Sequence, residues 1–280
     1  MIIDIHTHIF PDEIRNGRSG FFSYESAFEL LYGPANSKMV GADEMVKMMD
    51  EENVDKAVVF GFPWKDPGVM KMHNDYVLDA VKRFSDRLIG FSCLAPKTPG
   101  AEKEVARCLD GGLKGVGELA FYESGIDDAC LDALAPLMKQ VEEAGYPIMI
   151  HTNEPVGHIY PGKAPMTLKE IYNLCKRFPD NKIILAHWGG GVFFFNLLKK
   201  EVKDVLKNVW YDTAASPYLY DTGIYPAALQ YAGENKVLFG SDYPLIKPGR
   251  YIKDMKVSGI TEVELEAVLG KNAEMLLKDM

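Results

Sequence analysis

The chain opens with Met1-Ile2-Ile3-Asp4-Ile5-His6-Thr7-His8, a short apolar run that ends in two histidines one residue apart. Read as a strand, this stretch puts residues i and i+2 on one face, so His6 and His8 project the same way. Neutral imidazole is the commonest protein ligand of transition metals, and a strand delivering two from its C-terminal end is half of a metal site. Taken alone, the motif fits two ordinary histidines near a terminus equally well. The rest of the chain decides between these readings.

The same pattern recurs further on. Pro147-Ile148-Met149-Ile150 leads into His151, and Lys182-Ile183-Ile184-Leu185-Ala186 leads into His187 and a Trp188-Gly189-Gly190-Gly191 turn. Lys236-Val237-Leu238-Phe239-Gly240-Ser241 leads into Asp242-Tyr243-Pro244. Each is an apolar run of strand length that ends in a ligand-type residue at a turn signal. In all, strands are expected at 2–7, 55–61, 87–94, 113–119, 147–151, 182–187, 208–213 and 236–241. They are rich in Val, Ile and Leu without alternation, as parallel strands covered on both faces are. Helical spacing fills 42–52, 69–85, 101–110, 128–144, 167–178, 192–206, 224–233 and 261–278. Thr167 with Glu170 and Thr261 with Glu264 read as capping boxes, and Gly145 as a helix stop.

Eight such units in 280 residues predict an α/β fold, a single-domain (β/α)8 TIM barrel spanning 1–280. A doubly wound open sheet is the alternative, but it would use fewer strands and leave the recurring polar strand ends unexplained. Residues 10–40 interrupt the alternation with a stretch rich in Gly, Phe, Ser and Tyr. As an insertion after the first strand it belongs at the barrel mouth, as a lid, a pocket wall or an oligomer contact.

Composition narrows the function classes. A hydrophobic content of 47% suits a large buried core, and a net charge of −9 argues against a nucleic-acid partner. The four cysteines Cys93, Cys108, Cys130 and Cys175 form no Cys-x-x-Cys pair and read as reduced thiols. No signal peptide precedes the first strand and no apolar run reaches about 18 residues, so a cytoplasmic protein without membrane spans is expected.

Parallel strands of a closed barrel all end at one rim, where His6, His8, His151, His187 and Asp242 would converge. Four imidazoles and a carboxylate suit zinc first, with manganese or iron as the other candidates, and a catalytic site keeps a position open for water.

At this point the chain resembles the amidohydrolase superfamily. The match is to its amidohydrolase 2 branch of metal-dependent TIM-barrel hydrolases and decarboxylases, related to aminocarboxymuconate-semialdehyde decarboxylase. The resemblance rests on D-I-H-T-H at 4–8, I-H-T-N-E-P at 150–155, L-A-H-W-G-G-G at 185–191, F-G-S-D-Y-P at 239–244 and L-G-K-N-A-E-M-L-L at 269–277. It implies His6, His8, His151 and Asp242 as metal ligands, and His187 as a further ligand or a substrate-polarising or acid/base group. Glu118, closing Gly115-Val116-Gly117-Glu118-Leu119, matches a metal-bridging glutamate of some relatives, so one or two ions are expected. Lys114 does not match the carboxylated lysine of others.

The chemistry expected first is hydrolysis of a small amide, lactone or ester. A divalent ion activates water, Asp242 acts as general base, and His187 or the metal polarises the carbonyl. The alternative is non-oxidative decarboxylation of an aromatic or unsaturated acid. Trp188, Tyr160, Tyr218, Tyr243 and Phe193 to Phe195 are candidates for its aromatic pocket, and Lys247 and Arg250 for an anion contact, although shell packing or surface placement also accounts for the Phe run and the two cations. A closed structural metal module is the third reading, and it leaves Asp242 unexplained. Asn153, Trp188 and Tyr243 are expected at the small-molecule substrate, Glu154 near a ligand, and a homodimer is admitted. His158 reads as a loop residue and His73 as structural, while Gly189 to Gly191 hold an anion at a helix start or simply turn the chain.

Overall fold

The computed structural model describes residues 1–278. Eight strands follow one another: β1 (Ile3–His8), β2 (Lys56–Phe60), β3 (Leu88–Gly90), β4 (Val116–Leu119), β5 (Pro147–Ile150), β6 (Lys182–Leu185), β7 (Val209–Asp212) and β8 (Val237–Leu238). All pairings are parallel, in a three-stranded run β1-β2-β3 and a five-stranded run β4-β5-β6-β7-β8. Two seams close them into a barrel. At one, the Ile5 N–H donates to the Phe239 carbonyl (2.9 Å), the Asp242 N–H to His6 (2.9 Å) and the His8 N–H to Tyr243 (2.8 Å). At the other, Lys114 donates to Gly90 (2.8 Å), Ser92 to Gly115 (3.0 Å) and Gly117 to Ser92 (2.8 Å).

The strands' inner faces form one apolar plug. Ile3, Ile5, Val58, Phe60, Phe91, Met149, Ile184 and Leu238 pack together with Ala273 and Leu276 of the last helix. The outer faces of β2 and β3 pack on the helices Ala42–Glu52 and Pro67–Arg83. The helices Ala101–Asp110, Asp128–Ala144, Leu168–Arg177 and Ile224–Ala232 follow β3, β4, β5 and β7. Both expected capping boxes form, and Gly145 ends its helix at φ +71°.

Three expectations need correction. No helix spans 192–206: after β6 the chain runs through tight turns to Leu197, extends at Leu198, and forms one short helix at Glu201–Val205. The cause is local. Trp188 to Gly191 all have positive φ, and Lys200 breaks the backbone again at φ +51°. A helix at Pro248–Val257, opened by a proline in its first turn, went unread. The 10–40 segment is not plain loop, for it folds into short helices at Asp12–Asn16, Arg18–Phe21 and Ser26–Tyr32. Its Phe28 packs on Phe62 (5.3 Å between ring centres) and Trp64 (4.5 Å) beyond β2.

Candidate metal centre

Two register shifts prepare the site. One interrupts the β1–β2 pairing between Asp4 and Thr7, the other the β4–β5 pairing between Val116 and Leu119. Such bulges re-aim side chains, and they gather next to functional sites. On β1 the shift brings His6 and His8 inward above Ile3 and Ile5. On β4 it brings Glu118 inward after Gly117, whose φ of +137° and whose contact with the Met149 carbonyl (2.6 Å from an added Cβ) admit only glycine.

Glu118 is the hub of the resulting cluster. Its Oε1 faces His151 Nδ1 (3.0 Å) and His187 Nε2 (3.3 Å), and its Oε2 faces His6 Nε2 (3.7 Å) and His8 Nε2 (4.0 Å). Asp242 Oδ1 completes the ring, 3.3 Å from His8 Nε2 and 3.7 Å from His6 Nε2. Three overlapping donor sets are close enough to hold an ion: His6 with His8 and Glu118, His6 with His187 and Asp242, and Glu118 with His151 and His187. The structure thus brings together all six residues expected from the sequence to gather at a metal.

A residue the sequence reading missed orients the ring. Asp212, ending β7, is fully buried. Its Oδ2 accepts the His6 Nδ1 proton at 2.8 Å, and its Oδ1 accepts the amides of His187 (2.7 Å) and Ala214 (3.0 Å). A carboxylate behind an imidazole fixes the tautomer that leaves the far nitrogen's lone pair free. His8 Nδ1 faces the Gly61 carbonyl (3.2 Å) and His187 Nδ1 the Ala214 carbonyl (3.1 Å), with the same effect. His151 differs, because both its nitrogens are engaged, Nδ1 by Glu118 and Nε2 by the Gly162 carbonyl at 2.9 Å. Asp212 carried the signal that exposed the others, a polar residue closing the run Val209-Trp210-Tyr211. Asp4 lies deeper, its Oδ1 accepting the amides of His6 (3.2 Å) and Ser241 (2.9 Å) and so tying β1 to the chain before Asp242.

Electrostatics and unmet hydrogen bonds both ask for a cation here. His6 Nε2 is buried and has no hydrogen-bond partner among the described residues. Burial pulls the His6 pKa down, yet the Glu118, Asp212 and Asp242 carboxylates outweigh it and hold it at about 10. Burial drives Glu118 and Asp242 upward, but the surrounding imidazoles bring both below the usual carboxylate range. Three carboxylates among neutral imidazoles leave a negative enclosure that protons or a metal ion must neutralise. Imidazole nitrogen and carboxylate oxygen are donors that zinc, manganese and iron all accept, so the residues fit a divalent ion.

The side chains expected at the substrate have partners within the protein. Trp188 is fully buried, donates to Ser216 Oγ (2.6 Å) and packs on Tyr225. Asn153 pins the 152–166 loop, its Oδ1 accepting the Ala164 amide (2.8 Å). Tyr243 packs on the Ala42–Glu52 helix, and only its carbonyl serves the site, through the His8 amide. Glu154 holds Lys163 and Tyr160, while His158 and Tyr218 are exposed. Phe193 is buried and Phe194 half-exposed, both in the shell. Lys247 pairs with Glu51 and Glu52, Arg250 with Asp254, and Lys114 with the Tyr146 hydroxyl. The glycine run leads into a 3-10 stretch that ends at Leu197, and a Cβ on Gly190 would meet the Asn153 carbonyl at 2.4 Å, so close backbone packing demands glycine there. His73 is structural, its Nε2–H donating to the Ile9 carbonyl (2.7 Å) while its Nδ1 accepts from Trp64 Nε1 (2.9 Å).

Beside the cluster lies a chamber of about 470 Å³. Phe62, Phe121 and Tyr122 line it, together with Lys65 and the buried Glu25, which pair at 3.1 Å. Tyr122 packs over His151 (5.2 Å) and lies parallel to Phe62 (6.3 Å), so it stands between the chamber and the metal-binding groups.

Residues 3–278 match the family described as Amidohydrolase, Amidohydro_2. The chain belongs to the amidohydrolase family. No curated protein sequence matches it. Among solved structures it is similar to 5-carboxyvanillate decarboxylase from Sphingomonas paucimobilis, at 18% identity, with 99% of this chain and 98% of that one covered and a TM-score of 0.76. It is equally similar to 5-carboxyvanillate decarboxylase from Novosphingobium aromaticivorans complexed with manganese and 4-hydroxy-3-methoxy-5-nitrobenzoic acid, at 18% identity, 99% and 96% coverage and TM-score 0.77. A probable 2-pyrone-4,6-dicarboxylic acid hydrolase from Acinetobacter baumannii with citric acid bound is more distant, at 16% identity, 99% coverage of both chains and TM-score 0.63. At these identities the likeness shows the barrel. Among the described residues no helix of this amidohydrolase is long and apolar enough to cross a membrane.

Proposed function

We propose that this amidohydrolase is a metal-dependent, non-oxidative decarboxylase of an aromatic or unsaturated carboxylic acid. The observation that carries this reading is the wall of Phe62 and Tyr122 running from the chamber onto His151. A flat conjugated acid can lie along that wall with its carboxylate at the cluster. The two carboxyvanillate decarboxylases of the same fold support the choice, and they favour it over the hydrolysis expected first.

His6, His8 and Asp242 would hold the ion, with Glu118, His151 and His187 around it. Manganese and zinc are both admitted by these donors. The bound ion supplies positive charge that offsets the substrate's anion and the charge developing on its ring. The residues do the rest. Asp212 keeps His6 in the tautomer with a free Nε2. The aromatic wall orients the ring and excludes water from the bond that breaks. As the carbon–carboxylate bond cleaves, its electron pair stays on the ring carbon and carbon dioxide departs. His187 is placed to return a proton to that carbon as an imidazolium: against the pull of burial Glu118 raises its pKa, Nδ1–H stays on the Ala214 carbonyl, and the Nε2 proton faces the cluster, leaving neutral imidazole once it is given up.

One observation favours hydrolysis of an amide, lactone or ester as the second reading. Glu118 turns one oxygen to His151 and His187 and the other to His6 and His8, as a bridge between two ions would. The test is a panel of hydroxybenzoic acids, conjugated dienoic acids, lactones and aryl esters, offered to manganese- and zinc-loaded protein. Carbon dioxide release from an acid is the expected result. Acid release from a lactone or ester with no carbon dioxide from any acid overturns the proposal.

A further inference from the structure

The 10–40 segment contributes more than a wall. Tyr32, at the end of its helix Ser26–Tyr32, packs its ring against Phe10 (5.1 Å), Phe28 (4.9 Å) and Phe62 (6.1 Å). Phe62 is also the partner of Tyr122. Two tyrosines from distant parts of the chain are therefore fixed on one phenylalanine, and one of them touches His151.

Their rings are fully used and their hydroxyls are not. Neither hydroxyl has a hydrogen-bond partner among the described residues. Other tyrosines of this fold use theirs. Tyr251 donates to the Ser241 carbonyl (2.6 Å) and accepts from the Ala215 amide (3.0 Å), Tyr160 donates to Glu154 (2.8 Å), and Tyr76 accepts from the Ala42 amide (2.8 Å). Tyr211, Tyr220 and Tyr225 also lack partners, but their hydroxyls are sealed from solvent. Tyr32 and Tyr122 are only partly buried, so a ligand can reach them. A phenol held rigidly and left unpaired at the edge of a site is a donor waiting for an acceptor. A phenol's ordinary pKa of about 10 leaves it protonated, and so a donor, at neutral pH.

We propose that Tyr32 and Tyr122 are a pair of substrate-binding donors that hold an anionic oxygen of a planar acid lying on Phe62. An anion entering a cluster that already holds Glu118, Asp212 and Asp242 needs donors besides the ion; Tyr122 lines the chamber against His151, and Tyr32 packs on the same Phe62. The inference rests on the decarboxylase reading for its ligand class. It adds the residues that recognise the ligand and gives the inserted segment a direct part in binding.

The experiment uses manganese-loaded full-length protein and two probes, 2-hydroxybenzoate and its methyl ester, titrated by calorimetry. Parent protein should bind the acid at least about tenfold more tightly than the ester. Tyr32→Phe and Tyr122→Phe should each weaken the acid by about tenfold, the scale of one hydrogen bond to a charged group, and leave the ester unchanged. Metal content and thermal melting, measured on the same samples, should match the parent. Variants that keep metal and fold and bind the acid as the parent does would overturn the proposal. So would an equal loss for acid and ester, which marks a packing role, or a parent that does not prefer the acid. Binding that depends on both tyrosines without carbon dioxide release would remove the decarboxylase reading and leave the anion site standing. Carbon dioxide release with KM unchanged in both variants would do the reverse.

Discussion

Asp212 sits behind the metal-binding groups, yet it decides which nitrogen of His6 they present. Its replacement by asparagine keeps the volume and, through Oδ1, the acceptor for the His187 and Ala214 amides. The asparagine NH2 then faces His6 Nδ1, which must turn acceptor and move its proton to Nε2. Asp212→Asn should therefore lower manganese or zinc affinity by about 10- to 100-fold in a metal titration, with little change in melting temperature. Parent-like affinity would show that Asp212 does not act through the His6 tautomer. His73 permits a second prediction at this scale. Burial depresses its pKa to about 4, so it is neutral when folded, whereas the unfolded chain takes up its proton near the ordinary value of 6.5. Its contribution to stability is therefore complete above pH 6.5 and is lost as pH falls from there toward about 4, up to about 3 kcal/mol. Urea unfolding at pH 7 and pH 4.5 should show parent protein losing more stability across that interval than His73→Gln. Equal losses would contradict the neutral, doubly hydrogen-bonded imidazole.

Among elements, those with local signals were legible and those shaped by the site were not. The helices Ala42–Glu52, Ala101–Asp110 and Asp128–Ala144 have the bounds that their periodicity predicts. Thr167 accepts the Glu170 amide while Glu170 reaches back to the Thr167 amide, as its spacing implies. Removing that cap in Thr167→Ala should cost about 1 kcal/mol in denaturant unfolding and leave metal binding untouched. A loss below about 0.3 kcal/mol would mean that solvent replaces the cap. The stretch after β6 read as a helix because its apolar spacing is helical, while five consecutive positive-φ residues, His187 to Gly191, lead into it and extended Leu198 and Lys200 at φ +51° break it. Register shifts leave no mark on a single sequence, so the inward turn of His6 and Glu118 was visible only as a polar residue closing an apolar run. Asp212 ends its strand in the same way and could have been found so. Tyr32 and Tyr122 lie outside the strands, and only the folding of 10–40 onto Phe62 sets them beside the cluster.

At the scale of the whole molecule, the account turns on closure. The strands β1, β4, β5, β6, β7 and the turn after β8 supply His6, His8, Glu118, His151, His187, Asp212 and Asp242 from positions more than 200 residues apart, and the two hydrogen-bonded seams bring them to one rim. The plug of Ile3, Ile5, Phe60, Met149 and Ile184 beneath them makes that rim a floor, and Phe62 with the two tyrosines builds a wall beside it. Everything claimed for the chemistry requires a cation on that floor. The most direct measurement is an anomalous difference map from crystals of manganese-loaded protein, collected near the manganese edge. The account predicts a peak about 2 Å from His6 Nε2 and from His8 Nε2, with an Asp242 oxygen at a like distance. Full manganese loading with no peak within reach of these three side chains would contradict it.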